Sequence, residues 1–182
     1  MRVAIVIGHN SKYQGAIGSL DISEWKFNSQ LAEDIKESNY SGVDIRIFHR
    51  VPSKSYTKQM KILNAEIEDW GADLAIELHF NASIDEGVNG HEVLYCKGSK
   101  LGKKIAKVFD TNFDVFLTNA DRNIKAVKKK NRGGGFVCRG KEPRILLEPF
   151  FASHQHLYKR GTEGYSRLLG AILISLTTIS SL

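Results

Sequence analysis

Cysteine is scarce in this chain of 182 residues: it has two, Cys96 and Cys138. They form no disulfide framework and no C-x-x-C pair. Both sit in apolar, strand-like stretches, so buried free thiols are the expected state. A disulfide between them stays open as the alternative, although nothing in the spacing asks for one. Long apolar runs are also missing. The stretch 168–182 is interrupted by Ser175, Thr177, Thr178, Ser180 and Ser181, and it is shorter than the roughly 20 residues a membrane span needs. The opening run from Arg2 to His9 lacks the basic region, apolar length and small-residue cleavage site of a secretory signal. The expectation is a chain made in the cytoplasm without a signal peptide and without a transmembrane segment. There is no internal repeat and no low-complexity tract.

What is present is ordinary globular material. Hydrophobic residues make up 42% and charged residues 25%, which excludes disordered and fibrous classes. The length suits one domain, 1–182, with a real core. Lys and Arg outnumber Asp and Glu 26 to 20, a net charge of +6. Such a surface favours polyanions, whether nucleic acid, acidic lipid or an anionic wall polymer. It fits an evenly solvated basic surface equally well.

The hydrophobic pattern alternates strands with helices. Residues 2–7 form a continuous β-branched run, the pattern of a strand buried on both faces. A helix follows from Asp21, a candidate cap with Glu24 three positions on, to about Asn39. Strands are expected at 43–48, 74–80, 90–96, 136–138 and 145–148. Helices are expected at 55–71, 99–116 and from about His156 to the end. Residues 128–135, Lys-Lys-Lys-Asn-Arg-Gly-Gly-Gly, read as a flexible basic loop. The predicted fold class is a single α/β domain with a mostly parallel, mixed twisted sheet and helices on both faces.

In such sheets ligands bind beyond the carboxyl ends of the strands. His9 lies just past the first strand, His79 closes the third, Glu148 closes the last, and Glu24 opens the helix after the first strand. Four residues far apart in sequence are therefore expected on one rim. Two histidines and a carboxylate are a ligand set of catalytic zinc, Zn2+, with water in the fourth position. A second carboxylate can take a proton from water and return it to a leaving nitrogen. These are the parts that amide hydrolysis needs.

Several segments resemble the zinc amidases of the Amidase_3 family, in the family's order. Val3-Ala4-Ile5-Val6-Ile7-Gly8-His9 resembles its opening strand and Gly-His turn. Glu24 with Asn28, Arg50, and Asn64-Ala65 are similar to positions it uses. The run from Ala72 to Ala82, with His79, Phe80 and Asn81, resembles its third-ligand strand. Gly90 to Tyr95 is similar to the strand that follows, and Leu146-Leu147-Glu148-Pro149-Phe150-Phe151 to its catalytic segment. The resemblance spans residues 3–151. It implies His9, Glu24 and His79 as zinc ligands and Glu148 as general base. The implied activity is hydrolysis of the amide between N-acetylmuramic acid and L-alanine in peptidoglycan.

The sequence departs from the family at three points. The first ligand lacks a preceding proline and a following glycine, and Pro149 stands where glycine is common. Glu77 replaces a small residue and is expected on the same strand face as His79, either holding it from behind or binding a substrate amine. Asn81 and Arg50 are further candidates for support or substrate contact.

Each residue also has a plainer role to weigh. Glu24 could be a helix-capping carboxylate, and Glu148 could be a strand-end partner of Arg144 or Lys141. The remaining histidines, His49, His91, His154 and His156, could form a rival site, but His154 and His156 have no acidic partner nearby and His49 suits the surface. Two other functions compete with amide cleavage in the wall. One is a zinc peptidase of the same fold. The other is a non-catalytic binder of an anionic polymer, which leaves the His-Glu-His set unexplained and lacks the aromatic interleaving of stacking surfaces. The reading adopted is a monomeric amidase acting on peptidoglycan, with no nucleic acid and no separate wall-binding domain. Such a compact, always-active enzyme suits a phage endolysin acting on the host wall, and a bacterial enzyme without its signal would look the same.

Overall fold

The computed structural model describes residues 1–39 and 42–181. They form one six-stranded sheet flanked by helices on both faces. The strands are β1 (Arg2–Ile7), β2 (Asp44–His49), β3 (Leu74–Leu78), β4 (His91–Cys96), β5 (Asp121–Val127) and β6 (Arg144–Glu148), in the order β2-β1-β3-β6-β4-β5. Neighbours run parallel except β4 and β6, which are antiparallel. The expected mixed, mostly parallel sheet is therefore present.

Alternation along the strands builds two cores. Val3, Ile5 and Ile7 of β1 point to one face, against Phe27, Leu31 and Ile35 of α1 (Glu24–Glu37), with Phe109 and Phe113 of α3 (Lys100–Phe116) and Ile172 and Leu176 of α5 (Glu163–Ser180) in the same cluster. Ala4 and Val6 point to the other face, with Met60, Leu63 and Ile67 of α2 (Tyr56–Trp70) and Phe136 and Val137 of the single-turn α4 (Gly134–Val137). Each fully buried large apolar side chain contributes about 1.5–3 kcal/mol, so the two layers hold the sheet from both sides. Among the described residues no helix is long and apolar enough to cross a membrane.

The helix ends follow side-chain chemistry. Ser55 accepts a hydrogen bond from the Lys58 amide and Gly71, at φ +71°, closes α2, as the sequence leads one to expect. The cap of α1 is Ser23, not Asp21; Asp21 sits outside the helix at φ +58°. Residues 136–138 were expected as a strand. Instead, α4 follows Gly133, which at φ +72° turns the chain so that Phe136 and Val137 plug the smaller core. A run this short carries no period by which to tell helix from strand. β5 escaped the pattern because it is an edge strand with little buried surface. The last helix starts at Glu163, capped by Thr162, after a 3₁₀ segment, Ala152–Tyr158.

Cys96 and Cys138 are joined by a disulfide, so the expectation of free thiols is corrected. Their separation of 42 residues hid the contact: β4 and the end of α4 become neighbours only because α4 folds back across the sheet. The bond ties down the glycine-rich segment that borders the groove described below. Reducing it, or changing Cys138→Ser, is expected to lower stability by about 4 kcal/mol, the chain-entropy value for a closed loop of this span. Denaturant unfolding with and without reductant measures this; an unchanged midpoint would show that the crosslink contributes nothing.

Candidate metal centre and active site

The sheet order gathers the site. β6, the last strand in the chain, inserts between β3 and β4, with Leu78 paired to Leu147 and Glu92 to Glu148. The carboxyl ends of β1, β3 and β6 therefore share a rim with the start of β4. The Gly8 amide donates to Leu78 O and the His79 amide to Leu147 O, each at 3.0 Å, which fixes how the chain leaves β1 and β3. A groove of about 1020 Å³ opens there, lined among others by His9, Glu24, Glu77, His79, Asn81 and Glu148.

His9, Glu24 and His79 converge. His9 Nε2 lies 3.0 Å from Glu24 Oε2, and His79 Nδ1 lies 2.6 Å from Glu24 Oε1. One candidate ligand atom from each residue lies within 4.8 Å of the other two. Glu24 is buried at the first turn of α1, but it does not cap its own helix. Its oxygens accept from the Phe80 amide at 3.2 Å and the Ala16 amide at 3.3 Å. The plain capping role is thereby set aside. Burial pushes the Glu24 carboxyl up, yet the hydrogen bonds from His79 and His9 outweigh it and hold the carboxyl well below the usual range. Burial pulls His79 down, but Glu24 and then Glu77 bring it to about 9. A metal bound here would displace the proton that these carboxylates favour on the imidazole.

Two observations fit a metal to these residues. His9 adopts φ +65°, a strained conformation for a non-glycine residue that costs about 1–3 kcal/mol and persists where function requires it. The two neighbouring glycines have no room for a side chain. A Cβ on Gly15, itself at φ +78°, would lie 2.6 Å from Glu24 Oε2 and 2.7 Å from His9 Nε2, and one on Gly8 would lie 2.6 Å from His79 Nε2. The sequence reading missed both glycines, and only Gly8, beside His9, offered a hint. The departure at residue 10 also resolves: the Asn10 side chain accepts from the amides of Lys12 and Tyr13, each at 3.0 Å, and so shapes the turn itself.

Behind His79 stands Glu77. It is fully buried, paired with Arg50, and its Oε2 lies 3.4 Å from His79 Nε2. Burial raises its carboxyl, but Arg50 leads the effects that bring it down to about 2. The Arg50 guanidinium lies over the Tyr56 ring.

Glu148 does not pair with Arg144 or Lys141. Arg144 is turned away to Glu142 and Asn64. The partner of Glu148 is Arg132, an exposed residue of the basic loop, and Asn81 Nδ2 donates to Glu148 Oε2 at 3.0 Å. The same amide reaches Glu92 Oε1 at 3.3 Å. Glu92 was missed as a site residue because on β4 it looked like one strand position among several. Burial, then the hydrogen bond to Glu92, raises Glu148 to about 7, with Arg132 opposing. Burial raises Glu92 too, but the hydrogen bond to Glu148 and the Arg122 guanidinium hold it down. Of this pair, Glu148 takes the shared proton. A carboxylate can accept a proton only above its pKa, so if Glu148 serves as the base, activity is expected to rise with pH through about 7. Arg132→Ala removes an opposing charge and is expected to shift that rise to higher pH; a pH–rate profile that stays in place or moves down would refute the contact's importance.

His154 and His156 lie on the 3₁₀ segment flanking Gln155, which binds Leu20 N and Ile22 O, and His49 is exposed at the end of β2. None of them lines the groove.

An α/β sheet with imidazoles and carboxylates gathered at its carboxyl rim carries the side chains that hydrolases use, and likeness to known proteins narrows the class. The sequence profile of the N-acetylmuramoyl-L-alanine amidase family Amidase_3 matches residues 3–172, and the chain belongs to that family. Its members are hydrolases of the cell wall. Among solved structures the chain is similar to the catalytic domain of CD27L, an endolysin targeting Clostridia difficile, with 25% identity over 96% of this chain and 97% of that one, at a TM-score of 0.72. It shares the fold of the CwlD amidase of Clostridioides difficile, solved with the GerS lipoprotein, with 18% identity over 98% of each chain and a TM-score of 0.82. The catalytic domain of CwlV, from Bacillus (Paenibacillus) polymyxa var. colistinus, has the same fold at 20% identity, 100% and 99% coverage and a TM-score of 0.76. No curated protein sequence is a significant match.

Proposed function

We propose that this chain is a zinc-dependent amidase that cleaves the bond between N-acetylmuramic acid and L-alanine in peptidoglycan. The observation that carries the reading is the shared carboxylate. Two imidazoles from loops after β1 and β3 each place a nitrogen against one oxygen of Glu24, at the mouth of a groove holding a glutamate of raised pKa.

His9, Glu24 and His79 would hold the ion. When bound, zinc supplies Lewis acidity toward a carbonyl oxygen and lowers the pKa of water toward neutrality. Glu148 accepts the proton of the attacking water and returns it to the departing alanine nitrogen. Asn81 holds the Glu148 carboxylate by one oxygen, and Arg132 stands over the other. Glu77, buried behind His79 and clamped by Arg50, supports the imidazole; with no exposed surface it is poorly placed to bind a substrate amine. Lys54, Lys129 and Lys130 line the groove and suit the carboxylates of a peptide stem.

The likeness to the CD27L domain supports a lytic enzyme of the endolysin kind. The disulfide belongs to an oxidising compartment, which fits action on the wall. Analysis of digested peptidoglycan tests the activity. Release of whole peptide stems with a free muramic acid carboxyl is the expected result, whereas cuts within the stem would assign the chain to the peptidases.

A further inference from the structure

A second cluster lies on the far side of β4, away from the groove. His91, the first residue of β4, faces the larger core, whereas its neighbour Glu92 faces the site. His91 is fully buried, and its ring meets the Phe113 ring edge-on at 5.6 Å. Its Nδ1 contacts Asn119 Oδ1 at 2.8 Å. The Asn119 amide nitrogen is committed to Pro149 O at 2.7 Å, so the oxygen must accept and Nδ1 must donate. Nε2 is then the nitrogen that faces a further partner, the arrangement of metal-binding histidines whose other nitrogen is held by an outer partner.

Carboxylates stand beside that nitrogen. Asp114 Oδ1 lies 3.2 Å away and Asp121 Oδ1 3.7 Å away. One atom each of His91, Asp110 and Asp121 lies within 4.8 Å of the other two. Despite this crowding, His91 Nε2 has no hydrogen-bond partner, and neither does Asp110 Oδ1, on a side chain with no exposed surface. The carboxylates must therefore stand off the axis along which the ring nitrogen would donate. Ligands on a shared ion do the same: two donors at about 2.0–2.1 Å around a tetrahedral ion are about 3.3 Å apart and off each other's axes. Lys107 Nζ neutralises one charge, but it binds Asp110 Oδ2 at 2.7 Å and leaves Oδ1 free.

We propose that His91, Asp110, Asp114 and Asp121 form a second, structural site for a divalent transition cation of the zinc kind. One imidazole among carboxylates suits zinc or manganese better than calcium or magnesium, which prefer all-oxygen shells. The ion would pin α3 to the starts of β4 and β5. Through Asn119 and the Pro149 carbonyl it would also brace the strand end that carries Glu148. Its residues are distinct from those of the groove, so it stands whether or not the amidase reading does.

Zinc back-titration of metal-free full-length protein, followed by elemental analysis, tests this. The wild type is expected to retain about two equivalents and His79→Ala about one. His79→Ala combined with Asp114→Asn and Asp121→Asn is expected to retain none. Both aspartates are partly exposed, so this variant should fold; circular dichroism checks that. In His79→Ala, zinc at about a hundredfold over its dissociation constant should raise the melting temperature by about 5–10 °C, and the aspartate changes should abolish the rise. His79→Ala that binds no zinc and melts at the same temperature with or without it would overturn the proposal, as would unchanged stoichiometry on removing the aspartates.

Discussion

Glu148→Gln is expected to leave the bound metal in place and to lower kcat by about 10²–10⁴-fold, the range for a lost general acid–base group. The amide keeps the size of the carboxyl, so the hydrogen bond from Asn81 has a carbonyl oxygen to accept it, and β6 stays fixed between β3 and β4. What disappears is the ability to take up and return a proton. Because the side chain is buried with Glu92 as its neighbour, no water-exposed carboxylate stands ready to replace it. The measurements are zinc content and turnover on purified peptidoglycan. Full activity with zinc retained would remove Glu148 from the mechanism, and loss of zinc would move it into the metal shell.

His79→Ala is expected to lose both metal at the groove and activity. Its imidazole meets Glu24 on one side and Glu77 on the other, so truncation leaves two buried carboxylates facing a hole. Removing an outer-sphere partner weakens metal binding by about 10–100-fold, and removing a ligand itself should exceed that. Zinc competition with a chelator reads the affinity. Unchanged affinity would separate His79 from the metal. The loss should also distinguish ligand from catalyst: added zinc rescues neither turnover nor affinity in His79→Ala, whereas Glu148→Gln needs no added zinc to remain loaded.

Much of this was legible before folding. The buried run of β1 and the apolar spacing of α2, α3 and α5 announce which faces enter the cores, because side-chain period alone sets which way a residue points. Residue type at strand ends pointed to His9, His79 and Glu148, and the start of α1 to Glu24, as side chains that meet at one rim, because parallel sheets expose their carboxyl edges. The contacts that tune those residues were not legible. Arg132 and Glu92 reach Glu148 from 16 residues before it and from an antiparallel neighbour, and local pattern carries no record of either.

The chain by itself determined the alternating layers, the order of the elements and the chemical inventory at each strand end. The tertiary structure alone decided that β6 lies between β3 and β4, that Cys96 meets Cys138, that Gly8 and Gly15 must lack side chains, and that His91 faces three aspartates. The physical reason is range. Periodicity and capping act over a few residues along the chain, whereas charge pairing, crosslinking and metal geometry act over a few ångströms in space between residues that only the packed sheet brings together.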